Sequence, residues 1–337
     1  MKRTSIKDIA RKARVSHSTV SRALQGSPLV NAATAKRIRR IAEQTGYRAS
    51  AAARSLVMGR SHTIGVVVTH IADPFVAAVV NGIEDTAEQQ GYSVFLANSN
   101  AEPDRELRVV RSFEERRVDG IIVTSSRVGA LYLPVMEGMR VPVVLLNNQH
   151  PSDLAHSVII NNVEASIEAT RHLIQLGHRR IAYIGDRLGY QSDTERREGY
   201  RRGLREADIR WAQELAVSGD GKPEGAERAM AQLLALNPRP TAVFCYNDMS
   251  ALGAMRQIRA AGLKVPEDFS VVGFDDLYLS QYLDPPLTTV RQPMRQMGRM
   301  AMETLLEIFD GQRSAHNLRV PGELIVRGST AKPKEDE

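Results

Sequence analysis

Two short helices separated by a tight turn are written into residues 5 to 25, and the second carries a polar face with nothing to do inside a folded core. Ser5 followed by Asp8 has the S-x-x-[DE] spacing that satisfies orphan amide donors at a helix N-terminus. Ile6, Ile9, Ala10 and Ala13 then fall on one stripe of a 3.6-residue repeat. After a turn at Arg14 and Val15, Ser16 is placed to cap a second helix whose inward side is Val20, Ala23 and Leu24. Its outward side carries His17, Ser18, Ser21, Arg22 and Gln25. A third helix is expected from Asn31 as N-cap, burying Ala35, Ile38, Ile41 and Ala42 and stopping at Gly46. Three such helices with one polar reading face describe a helix-turn-helix headpiece.

A charged helix face is more often a solvated face than a binding one, so the distribution of charge decides between the two. Residues 1 to 60 hold 14 Lys and Arg against Asp8 and Glu43 alone, a net charge of +12, whereas the whole chain is +6. The remaining residues therefore carry −6. Basicity confined to the headpiece is the electrostatic footprint expected on phosphates.

At 337 residues, with 42% apolar and 25% charged residues, the chain has the composition of a globular protein with one or two domains beyond the headpiece. No apolar run approaches the length of a membrane span, and Lys2 and Arg3 lead into a polar helix with no apolar signal segment. A cytoplasmic protein with no membrane partner is expected. The single cysteine, Cys245, excludes an internal disulfide and a multi-cysteine zinc site, and on an apolar segment it reads as a small buried side chain.

Ala49 to Val57 is alanine-rich and free of Gly and Pro, yet too short to be a stable helix alone. Past a linker at Met58 to His62 the pattern changes. Apolar runs at Ile64 to Thr69, Ser93 to Ala97, Gly120 to Thr124, Val141 to Leu146, Arg180 to Gly185, Thr241 to Cys245 and Ser270 to Gly273 alternate with amphipathic stretches such as Phe75 to Gln90 and Val163 to Leu176. Strands separated by helices imply parallel sheets covered on both faces, an α/β doubly wound architecture. The number of elements divides best into two lobes near Asn161, with a ligand cleft at the carboxyl ends of the strands.

The string I-K-D-I-A-R-K-A-R-V-S-H-S-T-V-S-R-A-L (Ile6 to Leu24) resembles the headpiece of the lactose/galactose-repressor family of bacterial transcription regulators. The likeness continues through A-A-R-S-L (Ala52 to Leu56), D-P-F (Asp73 to Phe75), R-V-D-G-I-I-V (Arg117 to Val123) and G-H-R-R-I-A-Y-I-G (Gly177 to Gly185). Beyond these come R-P-T-A-V-F-C-Y-N-D (Arg239 to Asp248), V-P-E-D-F-S-V-V-G-F-D-D (Val265 to Asp276) and P-P-L-T-T-V-R-Q-P (Pro285 to Pro293). The resemblance implies a homodimer that binds a near-palindromic double-stranded operator, with a two-lobed periplasmic-binding-protein-like core that takes a small effector. It further implies a headpiece at 1–48, a hinge helix and linker at 49–61, a core at 62–330 and a tail at 331–337. The chain then crosses between lobes three times, giving an N-lobe of about 62–161 and 291–320 and a C-lobe of about 162–290 and 321–330. The short charged tail lacks the leucine heptads by which some members tetramerise.

Carried over residue by residue, the resemblance places His17, Ser18 and Arg22 on base edges and Ser16, Thr19, Ser21 and Gln25 on phosphates or the groove wall. It places Leu56 as a minor-groove wedge, although Ala49 stands where the family has a proline before the hinge helix. For the effector it points to Arg196, Asn247 and Asp275, with Phe75 as an apolar face. Asn148 and Gly221 occupy positions where purine-binding relatives have aromatic rings, which leaves a nucleobase little to stack on. That donor and acceptor set suits a sugar or sugar derivative, with a nucleobase-type effector as the alternative. Arg196 and Asp275 also read simply as an interlobe ion pair.

An enzyme is the first rival. No G-x-G-x-x-G after a strand, no G-x-x-x-x-G-K-[ST], no G-x-S-x-G and no H-x-x-x-H pair occurs, so neither catalysis nor a cofactor or metal is expected. A secreted solute-binding protein, the second rival, would share the core, but the basic headpiece argues against it.

Overall fold

The computed structural model describes residues 4–24, 26–47, 59–126, 138–148, 156–311 and 317–334. Gln25, the hinge stretch with Ala49 and Leu56, and the end of the tail lie outside the described residues. The chain divides into two compact units, 1–61 and 62–337.

In the first unit, α1 (Ile6–Ala13), α2 (His17–Leu24) and α3 (Ala32–Gln44) are each begun by a polar side chain. Ser5 and Asp8 form a reciprocal capping box, Ser16 Oγ accepts from the Thr19 amide (3.1 Å), and Asn31 Oδ1 accepts from the Ala33 amide (2.8 Å). Arg14 closes α1 in the left-handed region, φ 51°. Ile9, Ala10, Ala13, Val20, Ala23 and Ile38 form a small core, with Leu24, Ala35 and Ile41 packed against it. These are the stripes that the helical periodicity marks.

The second unit is two-lobed. The first lobe receives β1 (Thr63–Val68), α4 (Pro74–Gln89), β2 (Ser93–Asn98), α5 (Pro103–Glu115), β3 (Gly120–Thr124), β4 (Val143–Leu146) and β5 (His156–Ile160). The second receives α6 (Asn162–Gln175), β6 (Ile181–Asp186), α7 (Gln191–Glu206), β7 (Ala216–Gly219) and α8 (Pro223–Leu234). To it also belong β8 (Ala242–Cys245), α9 (Asp248–Ala260), β9 (Ser270–Asp275) and β10 (Thr288–Arg291). The chain then returns to the first lobe as α10 (Met294–Phe309) and β11 (Asn317–Val320), and to the second as β12 (Glu323–Ile325). Among the described residues each sheet has six strands, in the orders β11-β5-β4-β3-β1-β2 and β12-β10-β9-β8-β6-β7. All pairings are parallel except β10 with β12.

The central strands β3, β4, β6, β8 and β9 are buried along their whole length because helices cover both faces, and their sequences are correspondingly apolar. The strands that sequence periodicity does not mark include β7, β11 and β12, which lie at sheet edges and are mostly half-buried or exposed. Helix α10 packs on α4 at backbone contact. A Cβ on Gly82 would stand 2.0 Å from the Arg295 carbonyl oxygen, and one on Gly298 2.1 Å from that of Val79. The last described residues are bound rather than free. Ala331 bonds Ser270 Oγ through its amide and His178 Nε2 through its carbonyl (3.0 and 2.9 Å), and Lys334 pairs with Asp268 (2.5 Å). No helix among the described residues is long and apolar enough to cross a membrane.

Candidate functional site: a reading helix and an interlobe cleft

On the headpiece, His17, Ser18 and Arg22 are exposed on α2, and Ser21 and Thr19 are half-buried. Ser16 and Thr19 are tied to each other through their hydroxyls (2.8 Å), so both take part in starting the helix. Nothing in the core uses the outer face. Val20 and Ala23, fully buried, anchor α2 from behind.

A cleft of about 360 Å³ opens between the lobes where the strands end. The loop after β1 contributes His70, Asp73 and Phe75, the turn after β4 contributes Asn147, and α7 contributes Ser192 and Arg196. From the C-lobe strand ends come Tyr190, Gly221, Tyr246, Asn247, Asp275 and Gln292. Phe75 sits in the first turn of α4, whose N-terminus is capped by Asp73 (Oδ1 to Phe75 amide, 2.9 Å).

Arg196 is only 2% exposed and is held from all sides. Its Nε donates to Asn162 Oδ1 (2.9 Å) and its Nη1 to the Tyr246 carbonyl (2.6 Å). The guanidinium carbon lies 3.6 Å from the centroid of Phe274 and 4.8 Å from that of Tyr246. Nη1 is 3.7 Å from Asp275 Oδ1, so the pair expected between the lobes lies within the second lobe; Oδ1 also accepts from Gln292 Nε2 (2.5 Å). Burial raises the Asp275 carboxyl well above the ordinary carboxylate range against the opposing pull of Arg196. Asp275 is moreover held at φ 124°, a conformation costly for any residue with a side chain. The Asp275 oxygen is the acceptor in this contact, so the Gln292 amide turns its nitrogen toward it. Among the described residues, Gln292 Oε1 is thereby left buried with no hydrogen-bond partner, and Asn147 Oδ1 is in the same condition.

Phe75, Arg196, Asn247 and Asp275 are thus brought together at the cleft, but one further sequence expectation needs correction. Asn148 does not line the cleft: it is buried and donates Nδ2 to the Ser126 carbonyl (2.6 Å), while Asn147, turned by a left-handed φ of 54°, faces the opening. Asn247 lines the cleft with its amide already engaged, capping α9 through Ser250 N (2.8 Å) and holding the Gly221 carbonyl (3.0 Å). Sequence reasoning missed Asn147, Gln292, Tyr190 and Tyr246. Only the placement of Tyr246 and Gln292 directly after predicted strands or motifs hinted at them.

Residues 5–50 match the family model for bacterial regulatory proteins of the lacI family, and residues 170–330 match a periplasmic binding protein-like domain. The HTH-type transcriptional repressor PurR of Aliivibrio fischeri (strain ATCC 700601 / ES114) is 37% identical over 331 residues, covering 97% of this chain and 98% of its own. The chain belongs to the LacI family. A solved structure of the lac repressor dimer bound to operator and the anti-inducer ONPF aligns over 98% of this regulator and 100% of that chain, with TM-score 0.90 and 29% identity. The complex of the transcriptional regulator CelR with cellobiose aligns over 97% of this chain and 100% of that one, with TM-score 0.75 and 31% identity. This LacI-family regulator therefore pairs a DNA-binding helix-turn-helix unit with an effector-binding core, and regulators of the family are homodimers.

Proposed function

We propose that this repressor reads its operator through His17, Ser18 and Arg22 of α2, with Ser16, Thr19 and Ser21 on the backbone or groove wall, and that an uncharged, hydroxyl-rich sugar or sugar derivative in the interlobe cleft controls the binding. The observation that carries the ligand class is the pair of orphaned acceptors, Asn147 Oδ1 from one lobe and Gln292 Oε1 from the interlobe crossover, beside the Asp275 carboxyl. A ligand edge of hydroxyl donors bridging them satisfies groups whose burial is otherwise costly. It also draws the lobes together, which links effector occupancy to the conformation that binds DNA. The relative CelR, with its cellobiose, supports this class. A nucleobase-type effector is the second reading. The argument against it rested on Asn148 and Gly221, whereas Phe75, Tyr190 and Tyr246 supply rings to the cleft.

Thermal denaturation of the full chain against sugars, sugar derivatives, nucleosides and free nucleobases tests the reading. A ligand at about 100 times its Kd adds roughly 2.7 kcal/mol of stability, a rise in Tm of roughly 5–10 °C. Asp275→Ala should weaken that ligand by about 2- to 12-fold, the loss of a hydrogen bond to a neutral carboxyl. A nucleobase response without a sugar response overturns the ligand class, and a full sugar response in Asp275→Ala overturns the site.

A further inference from the structure

Helix α3 carries Lys36, Arg37, Arg39 and Arg40, all exposed, and its single acid is Glu43. Among the described residues none of the four cations forms an ion pair, with Glu43 or with any other acid, and the headpiece's one salt bridge, Arg11 with Asp8, is on α1. Two ordinary reasons for basic residues on a helix do not apply. The last turn of α3 holds no basic residue, so the helix dipole is not being matched. The spacings 36/39, 36/40 and 37/40 bring like charges together on adjacent turns, where they repel. The free headpiece thus holds a concentration of charge that its own structure does not compensate.

That charge borders a groove. A concavity of about 690 Å³ runs between the loop after α2 and the outer face of α3, with three cations, Lys36, Arg39 and Arg40, and one acid, Glu43, along it and Val30, Ala32 and Ala35 among its apolar lining. It starts where α2 stops: Ser27 N bonds the Arg22 carbonyl (2.9 Å), and Arg39 Nη2 reaches the Ala23 carbonyl (3.5 Å). We propose that this groove is a second nucleic-acid surface, holding the phosphodiester backbone that flanks the major groove read by α2. The proposal rests on α2 being the reading helix and extends the footprint beyond it. Lys36 and Arg40 are one helical turn apart, about 6 Å along the axis, which suits a rod bearing a phosphate every few ångströms. Point cations in a shallow concavity position a backbone and read no bases.

The test is Lys36→Gln/Arg40→Gln in the full-length protein. Arg39 is kept, because it also closes the end of α2. Binding is measured by fluorescence anisotropy from about 50 to about 300 mM salt, on a duplex selected by the wild-type protein from a random library and on a scrambled duplex. Each lost phosphate contact lowers the slope of log K against log salt by about 0.9, so two per headpiece give a fall of up to about 3.6 per dimer. The ratio of selected to scrambled affinity should stay within about twofold, since phosphate contacts carry no sequence information. Lys7→Gln/Lys12→Gln on α1 removes equal charge elsewhere and should change the slope by less than half as much. An unchanged slope overturns the assignment, as does an equal fall in the α1 variant, which would mean net charge alone. Failure of the wild-type protein to select any duplex would instead remove the reading of α2. Unaltered circular dichroism and Tm verify that the variant folds.

Discussion

Asp248 is buried at the start of α9, and its carboxylate accepts from the Leu277 amide (2.8 Å), Ser280 Oγ (2.6 Å) and Thr289 Oγ1. It pins the turn after Asp275 to the helix that begins at the cleft. Burial, opposed by those three hydrogen bonds and reinforced by the charge of Asp276, pushes the carboxyl from 3.8 to about 6. A carboxyl raised on folding favours the protonated native state. Its contribution is therefore fully present below the unfolded value and is lost as pH climbs through about 6. The rise corresponds to about 3 kcal/mol, of which about 1 is lost by pH 4.5 as the unfolded chain ionises and about 2 between pH 4.5 and 7.5. Asp248→Asn cannot titrate, and at the low-pH end it costs about 1 kcal/mol because an amide presents one acceptor oxygen where the protonated carboxyl presents two. Urea denaturation of the full chain at several pH values should therefore show the difference between variant and wild type swinging by about 2 kcal/mol in the variant's favour from pH 4.5 to 7.5. Curves that stay parallel within about 0.5 kcal/mol would refute both the raised carboxyl and the burial that causes it.

Arg22→Ala should remove a contact worth about 1–3 kcal/mol of discrimination, leaving weak, strongly salt-dependent DNA binding; gel shifts showing an unaltered preference for the selected duplex would reassign Arg22 to the backbone. Gly298→Ala forces α10 away from the Val79 carbonyl and should cost about 1–3 kcal/mol. The cost is visible as a fall in Tm of several degrees, and an unshifted melt would show that the two helices can separate freely.

The headpiece is legible from sequence because everything that makes it is local. Ser5 with Asp8, Ser16 with Thr19 and Asn31 with Ala33 act across two or three residues, and the apolar stripes of α1 to α3 follow directly from the helical repeat. The central strands are equally legible, since burial on both faces demands continuous apolar runs. The edges are not: β7 and β12 are short and partly exposed, and a few mixed residues carry no periodic signal. The segment between the second and third crossings, α10 with β11, has no local mark of which sheet it joins and was legible only through family resemblance.

The cleft divides in the same way. Phe75, Arg196, Asn247 and Asp275 stand in motifs at or near strand ends, but Asn147 and Asn148 are adjacent, and the left-handed turn at Asn147 decides which of them faces the ligand. Neither the engagement of Asn247 by Ser250 and Gly221 nor the orphaned oxygen of Gln292 is written in any neighbouring residue. The sequence by itself determined the caps, the helical stripes, the buried strands and the confinement of positive charge to residues 1 to 60, because those depend on interactions a few residues apart or on composition. Only the tertiary structure decided which polar atoms are satisfied and which face the cleft. That outcome depends on the strand order within each sheet and on three crossings between lobes, which bring together groups separated by as much as 222 positions, as between His70 and Gln292.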